Sequence, residues 1–362
     1  KSNSLLFLFI FFSFFMVKVQ KNTVLSVLLL LLCSNSVCMD SLSLIKSPIT
    51  TELEDFKNLF DSSLSSSNLL LNNVIAHIRQ RNGKMMRPIL VLLVAKLYGE
   101  IKPETLHAAV SLELLHTASL VHDDVVDEST ERRGQLSVNA IFNNKVAVLV
   151  GDFLLATSLV HAERTRNHDI IGVVACLGQD LAEGEILQLS NVSNREYSET
   201  IYFDVIRKKT AALFAACTKA AALSVEVTDE KAEFARLFGE NIGICFQIKD
   251  DIFDYFESKE IGKPTGNDML EGKLTLPALY VLNTTTDAWA QEMALRVKAG
   301  TATVDEITRL IEFIKQNGGI EYAVKVMYEY KERALDLLRT LPDSAVKTSL
   351  ITYLDYVVDR DK

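Results

Sequence analysis

From about Leu53 to the C-terminus, apolar residues recur every three or four positions, the spacing that lines one face of an α-helix. In Leu106–Asp127 the face is marked by Leu106, Val110, Leu112, Leu115, Ala118 and Val121. Val146–Arg164, Ile170–Leu189, Ser198–Val225 and Asp229–Phe256 repeat the pattern. Turn formers are scarce: 15 glycines and 6 prolines in 362 residues are too few for a many-stranded sheet, which breaks every ten residues or so. The interruptions that do occur suit helices. Thr303-Val-Asp-Glu306 is a capping box, Asn317-Gly-Gly319 a stop, and Pro342-Asp343 separates the last two helices. No internal repeat, low-complexity linker or charge block follows Met39. The predicted fold is all-α, a single helical-bundle domain over residues 39–362.

Residues 1–38 differ from the rest. They hold three lysines, no acid and two apolar runs, Leu5–Val17 and Val24–Cys33, each short of the roughly 18 to 20 residues that span a membrane. They are read either as over-called translation ahead of Met39 or as an anchor or targeting segment. Without them the net charge moves from −9 to −12. An acidic protein of this kind excludes nucleic acid as its main partner. Five cysteines with no C-x-x-C pair and no zinc spacing read as reduced thiols of a cytoplasmic protein.

Two clusters carry the chemistry: Asp123-Asp124-Val-Val-Asp127 and Asp250-Asp251-Ile-Phe-Asp254. In a helix the first and last members of each lie on one face, where like charges repel by a few tenths of a kcal/mol per pair. Both clusters sit among apolar residues, so a solvated acidic face explains them poorly. Mg²⁺ is the natural compensating ion, since it takes carboxylate oxygens and bridges to phosphate.

Cations fall around the clusters. They are Lys84 and Arg87 in Gly83-Lys-Met-Met-Arg-Pro88, Arg132-Arg133-Gly134, Lys208-Lys209-Thr210, and Lys263 and Lys273 after the second cluster. Arginine suits bidentate phosphate contact and lysine acts as a point charge. His116 lies two turns before Asp123 on nearly the same face, as either a satisfied core histidine or a diphosphate donor. His122 adjoins Asp123 with no preference between supporting it and packing elsewhere. Gln247 shares a face with Asp250 and is a candidate for the allylic group or its diphosphate. Ala211–Val225 is almost wholly small or apolar, fitting a central core helix or the wall of a greasy cavity.

With these residues assembled, the sequence resembles a trans-polyprenyl diphosphate synthase, the family of farnesyl and octaprenyl diphosphate synthases. The matching stretches are GKMMRP, LLHTASLVHDDVVDESTERRG, LVGDFLLA, GEILQLS, KKTAALF, FQIKDDIFDYF and GKPTGNDMLEGKLTLP, in family order from about residue 50 to 280. One departure is Asn82-Gly83-Lys84-Met85, where the family often has Gly-Gly-Lys-Arg; it touches fine positioning only.

The resemblance implies an all-α bundle around a deep central cavity, working as a homodimer on isopentenyl diphosphate and an allylic diphosphate. By position, Lys84, Arg87, His116 and Arg133 bind isopentenyl diphosphate. Arg132, Lys209, Thr210, Gln247 and Lys263 contact the allylic substrate. Asp123, Asp127 and Asp250 hold Mg²⁺, and the six aspartates with Lys209 form the catalytic group. The two residues between the Asp pair and the last Asp of the first cluster, with small Ala118 and Ser119 just before it, point to a long octaprenyl-like product of the quinone side-chain type. Membrane association through that product or residues 1–38 is a further expectation. The competing readings are a short-chain synthase, a non-catalytic subunit of a heteromeric synthase, a terpene cyclase and a membrane scaffold. A cyclase is disfavoured because the second cluster repeats the aspartates.

Overall fold

The computed structural model describes residues 40–80, 83–132, 134–192, 197–256 and 265–360. Asn82, Arg133, Lys263 and the apolar segment 1–38 lie outside the described residues. The chain divides into two compact units, residues 1–44 and 45–362; the second carries every element below.

Its helices run in chain order. α1 is Thr50–Ser63, α2 Leu69–Arg79, α3 Met86–Tyr98 and α4 Pro103–Val126. The strands β1 (Glu131–Arg132) and β2 (Gln135–Leu136) come next, then α5 (Val138–Phe142), α6 (Asn144–Arg164), α7 (His168–Val192) and α8 (Glu199–Ile206). One π-helical turn, Arg207–Ala211, leads into α9 (Ala212–Ser224), followed by α10 (Asp229–Phe253) and α11 (Asn267–Leu270). The C-terminal group is α12 (Leu276–Thr284), α13 (Ala288–Lys298), α14 (Val304–Gln316), α15 (Gly319–Arg339) and α16 (Ala345–Asp359). Among the described residues the hairpin is the sole sheet, so the bundle is all-α as its periodicity requires.

The caps follow the sequence. Thr303 N donates to Glu306 Oε2 at 2.8 Å and Glu306 N to Thr303 Oγ1 at 3.4 Å, closing the box that opens α14. Gly318 takes a left-handed φ of +79° where α14 stops.

Two predicted helices differ, and a hairpin is added. Ser198–Val225 reads as one helix but is broken by the π turn, which inserts a residue and re-aims the side chains around Lys209. Asp229–Phe256 stops at Phe253, because the carboxylate of Asp254 accepts from Asn267 N at 2.9 Å and Asp268 N at 3.1 Å and so caps α11. Arg132 and Gln135 pair in a tight hairpin in which Gly134 has φ +74°.

α9 is the central helix and packs on α3, α4, α7 and α10. α10 meets the π turn and α9 closely along the backbone: a Cβ on Gly243 would sit 2.5 Å from Ala211 Cα, and one on Gly239 2.4 Å from the Phe214 carbonyl oxygen. The apolar helix foreseen at Ala211–Val225 is therefore a core helix. Its outer face, at Ala212, Ala215, Ala216 and Leu223, also floors a groove of about 790 Å³ against α7 that contains neither acidic cluster. α4 lies along α6 in the same close way. A second apolar core joins Tyr255 and Met269 to α12, α13 and α14 through Val281, Met293, Leu310 and Ile314.

Candidate active site

α4 ends inside the first acidic cluster. Asp123 and Asp127, one turn apart, leave the helix on one face, half-buried and exposed respectively. Asp124 turns inward and is 0% exposed. Its Oδ1 accepts from Arg132 Nε at 2.5 Å, and its carbonyl oxygen from Asn139 Nδ2 at 3.1 Å. A buried carboxylate needs such partners, and the hairpin brings the guanidinium to it.

The second cluster repeats this division on α10. Asp251, 3% exposed, accepts from Tyr202 OH at 2.6 Å and from Gln247 Nε2 at 2.7 Å. Burial above all, then the charges of Asp268 and Asp250, hold its carboxyl well above the usual range, against those two hydrogen bonds. Asp254 serves as the cap of α11. Asp250 projects from the outer side, with Arg360 Nη2 donating to its Oδ1 at 2.5 Å.

The π turn joins the clusters. Lys208 turns away from them to Asp180 and Glu183 of α7, at 3.2 and 2.6 Å. Lys209 pairs with Glu185, and Thr210 Oγ1 donates to Gln247 Oε1 at 2.6 Å. Asp123 feels Lys209, Glu185, Arg132 and Asp127 together. Burial outweighs the cations, and its pKa is pushed up to about 6. From the other side, burial and then Asp254 push Asp268 up to about 7. Lys273 lies between the clusters: burial lowers its pKa, but the hydrogen bond it donates to Glu271 and the charges of Glu271, Asp268 and Asp127 raise it on balance.

Two clefts result. One of about 260 Å³ is lined by Lys209, Thr210, Gln247, Asp251, Asp268 and Lys273. The other, of about 370 Å³, is lined by Gly83, Met85, Glu113, His116, Thr117 and Arg132 among others. Lys84 lies 5.2 Å over the Tyr356 ring of α16, and Arg87 is in the first turn of α3. Met85 between them takes a left-handed φ of 53°, a strain of about 1–3 kcal/mol that persists only where neighbours impose it. Among the described residues, Arg87 Nε and Glu113 Oε2 are buried with no hydrogen-bond partner.

His122 belongs to neither cleft. Its Nε2 donates to the Val148 carbonyl oxygen at 3.2 Å, and the ring fits only because Gly151 has no Cβ, which would fall 2.2 Å from Nε2. Four residues near the clusters had not been singled out from sequence: Tyr202, Glu185, Asp268 and Arg360. Asp268 and Glu185 lie within motif stretches; nothing in the spacing flags Tyr202 or Arg360.

The inward aspartates are committed to protein donors. Asp123 and Asp127 leave α4 together on one face, and Asp250 leaves α10 on the side where Arg360 meets it. Hard carboxylate oxygens on two helices, with the Asp123 carboxyl held up chiefly by burial, are the donor type that Mg²⁺ takes.

The polyprenyl synthetase family model matches residues 68–314. An all-trans-nonaprenyl-diphosphate synthase (geranyl-diphosphate specific) of Rhodobacter capsulatus is 36% identical over 320 residues, covering 87% of this chain and 97% of its own. A crystal structure of geranylgeranyl pyrophosphate synthase from Bacteroides thetaiotaomicron is 69% identical with a TM-score of 0.79, covering 89% of this chain and all of that one. A polyprenyl synthase from Caulobacter crescentus, solved in complex with calcium and isoprenyl diphosphate, is 30% identical with a TM-score of 0.83, over 89% and 98% of the two chains.

Proposed function

The chain belongs to the polyprenyl synthetase family, and from that premise we propose that it is a Mg²⁺-dependent prenyltransferase that adds isopentenyl diphosphate to an allylic diphosphate to build a long all-trans polyprenyl diphosphate. The observation that carries this is the polar cleft in which Lys209, Thr210, Gln247 and Lys273 meet Asp251 of the second cluster. In this reading Asp123, Asp127 and Asp250 hold Mg²⁺, which supplies positive charge to the departing diphosphate. Arg132, Lys209, Thr210 and Gln247 hold the allylic diphosphate, with Lys263 completing the set from the segment outside the described residues. Lys84, Arg87 and His116 hold isopentenyl diphosphate, joined by Arg133.

The residues then act by position and charge. Lys209 and Arg132 stabilise negative charge as the allylic C–O bond breaks and the diphosphate leaves with the electron pair. The apolar helices keep water from the allylic cation. The isopentenyl double bond attacks that cation, a new C–C bond forms, and a proton lost to the released diphosphate restores a double bond. No protein nucleophile enters. Inorganic diphosphate released by the purified chain with both substrates and Mg²⁺, and abolished by EDTA, tests the proposal; no release rejects it in favour of a non-catalytic subunit.

The relatives' names disagree on product length, nonaprenyl against geranylgeranyl. The residues above the first cluster favour the longer product. Ala118 is buried at 2% exposure on α4, and its neighbours Thr117 and Val121 line the cleft of about 370 Å³. Ala118→Phe is therefore expected to shorten the product by at least one isoprene unit, with an overpacking cost of about 1–3 kcal/mol. Chromatography of the dephosphorylated products checks it, and an unchanged length takes Ala118 out of the wall.

We also propose a homodimer in the cytoplasm. α6 is long and apolar enough to cross a membrane, yet its Ala147, Val150, Leu154 and Ser158 are buried. Its outer face exposes Val148, Leu149, Leu155, Leu159 and Val160. A self-complementary contact there accounts for that apolar stripe. Light scattering is expected to give twice the chain mass, and Leu149→Glu to halve it; a monomeric unaltered chain rejects the contact.

A further inference from the structure

The C-terminal helix reaches both halves of the site. On α16, Tyr353 OH donates to the Met86 carbonyl oxygen at 3.1 Å, and the Tyr356 ring lies under Lys84 at 5.2 Å. One turn later the chain delivers Arg360 to the second acidic cluster. Arg360 Nη2 donates to Asp250 Oδ1 at 2.5 Å and to the Phe246 carbonyl oxygen at 2.9 Å. Its guanidinium lies 3.8 Å from the centroid of the Phe246 ring and 5.7 Å from that of Phe253. The side chain is 11% exposed, so this is a seated cation and not a solvated tail. Arg360 Nε is nevertheless buried without a hydrogen-bond partner, so the seat satisfies one end of the guanidinium and leaves the other unmatched.

We propose that Arg360 is an exchangeable counter-cation for Asp250: it and a divalent ion compete for the same carboxylate oxygen, so that metal binding at the second cluster releases the end of α16. The inference rests on the reading of Asp250 as a metal ligand. A guanidinium hydrogen-bonded to Oδ1 and a cation coordinated to Oδ1 exclude each other, and two ligands of one group are thermodynamically linked. Release would also loosen the Tyr353 and Tyr356 contacts that hold Lys84 and the start of α3. The helix end would then couple the metal side of the site to the isopentenyl side. Arg360 acts through Asp250 and is a positioning residue.

The test is Mn²⁺ binding to the full chain, followed by electron paramagnetic resonance, with hydrogen–deuterium exchange of residues 353–359 as a second readout. Arg360→Gln is expected to bind Mn²⁺ about tenfold more tightly at one site, and Arg360→Lys to bind it as the unaltered chain does. Mn²⁺ is expected to speed exchange at the end of α16 in the unaltered chain, with Arg360→Gln already fast without it. Asp250→Asn serves as the control and should lose one Mn²⁺ site. If it does, but Arg360→Gln binds Mn²⁺ no more tightly, the counter-cation is overturned and the metal reading stands. If Asp250→Asn keeps every Mn²⁺ site, Asp250 is not a ligand and both fall.

Discussion

Asp123→Asn is expected to lower kcat by about a thousandfold while leaving the fold intact. The size of the effect comes from what the side chain faces. It leaves α4 on the same face as Asp127, toward Lys209 and Glu185, and among the described residues has no structural donor of the kind that holds Asp124. Stability should move the other way. Its folded pKa, about 6, is raised above the ordinary 3.8, so the folded chain binds more protons than the unfolded chain between those values. The carboxylate thus costs stability as pH rises through that window, and the cost persists at neutral pH. Partial solvent exposure shrinks it. The asparagine variant should melt at the same temperature or slightly higher at pH 7, and the difference should vanish near pH 4. Melting followed by circular dichroism at the two pH values, beside steady-state rates, checks both halves. A variant that is both inactive and clearly less stable would make Asp123 structural.

Arg132→Ala is expected to cost both activity and stability. Asp124 is fully buried, and removing the guanidinium on its Oδ1 leaves a carboxylate with less compensation than it needs. Breaking such a pair costs about 3 kcal/mol, which in a chain of this size lowers the melting temperature by about 4–5 °C. Adding Asp124→Asn should recover a good part of the stability, because the uncompensated charge disappears. It should not recover activity if Arg132 also holds the allylic diphosphate. Thermal melts of the two single variants and the double one separate these effects. Additive losses would remove the pair from the account.

The contrast between Asp123 and Asp124 also marks how far the sequence could be read. The helices were legible because apolar spacing of three and four survives in every long element, from α4 to α16, and the capping box at Thr303–Glu306 is local. The candidate site was legible as a set of motifs, because both D-D-x-x-D clusters and the cations around them lie in short segments. Which member of each cluster turns inward was not. In α4 that depends on a guanidinium brought back by the hairpin at Gly134, and in α10 on Tyr202, 49 residues away along the chain. The π turn at Arg207–Ala211 leaves no trace in the periodicity, since the same apolar residues continue on both sides. His122 was ambiguous for a related reason: what decides its direction is Gly151 on another helix. Arg360 is 110 residues from Asp250, and a lone arginine near a chain end carries no pattern.

The purified chain alone, given farnesyl diphosphate, isopentenyl diphosphate and Mg²⁺, yields a product whose length mass spectrometry reads. The expected result is a series of all-trans polyprenyl diphosphates that extends beyond geranylgeranyl diphosphate and is lost on chelation. Elongation that ends at geranylgeranyl diphosphate would contradict the long-product reading, and no elongation at all would contradict the enzyme.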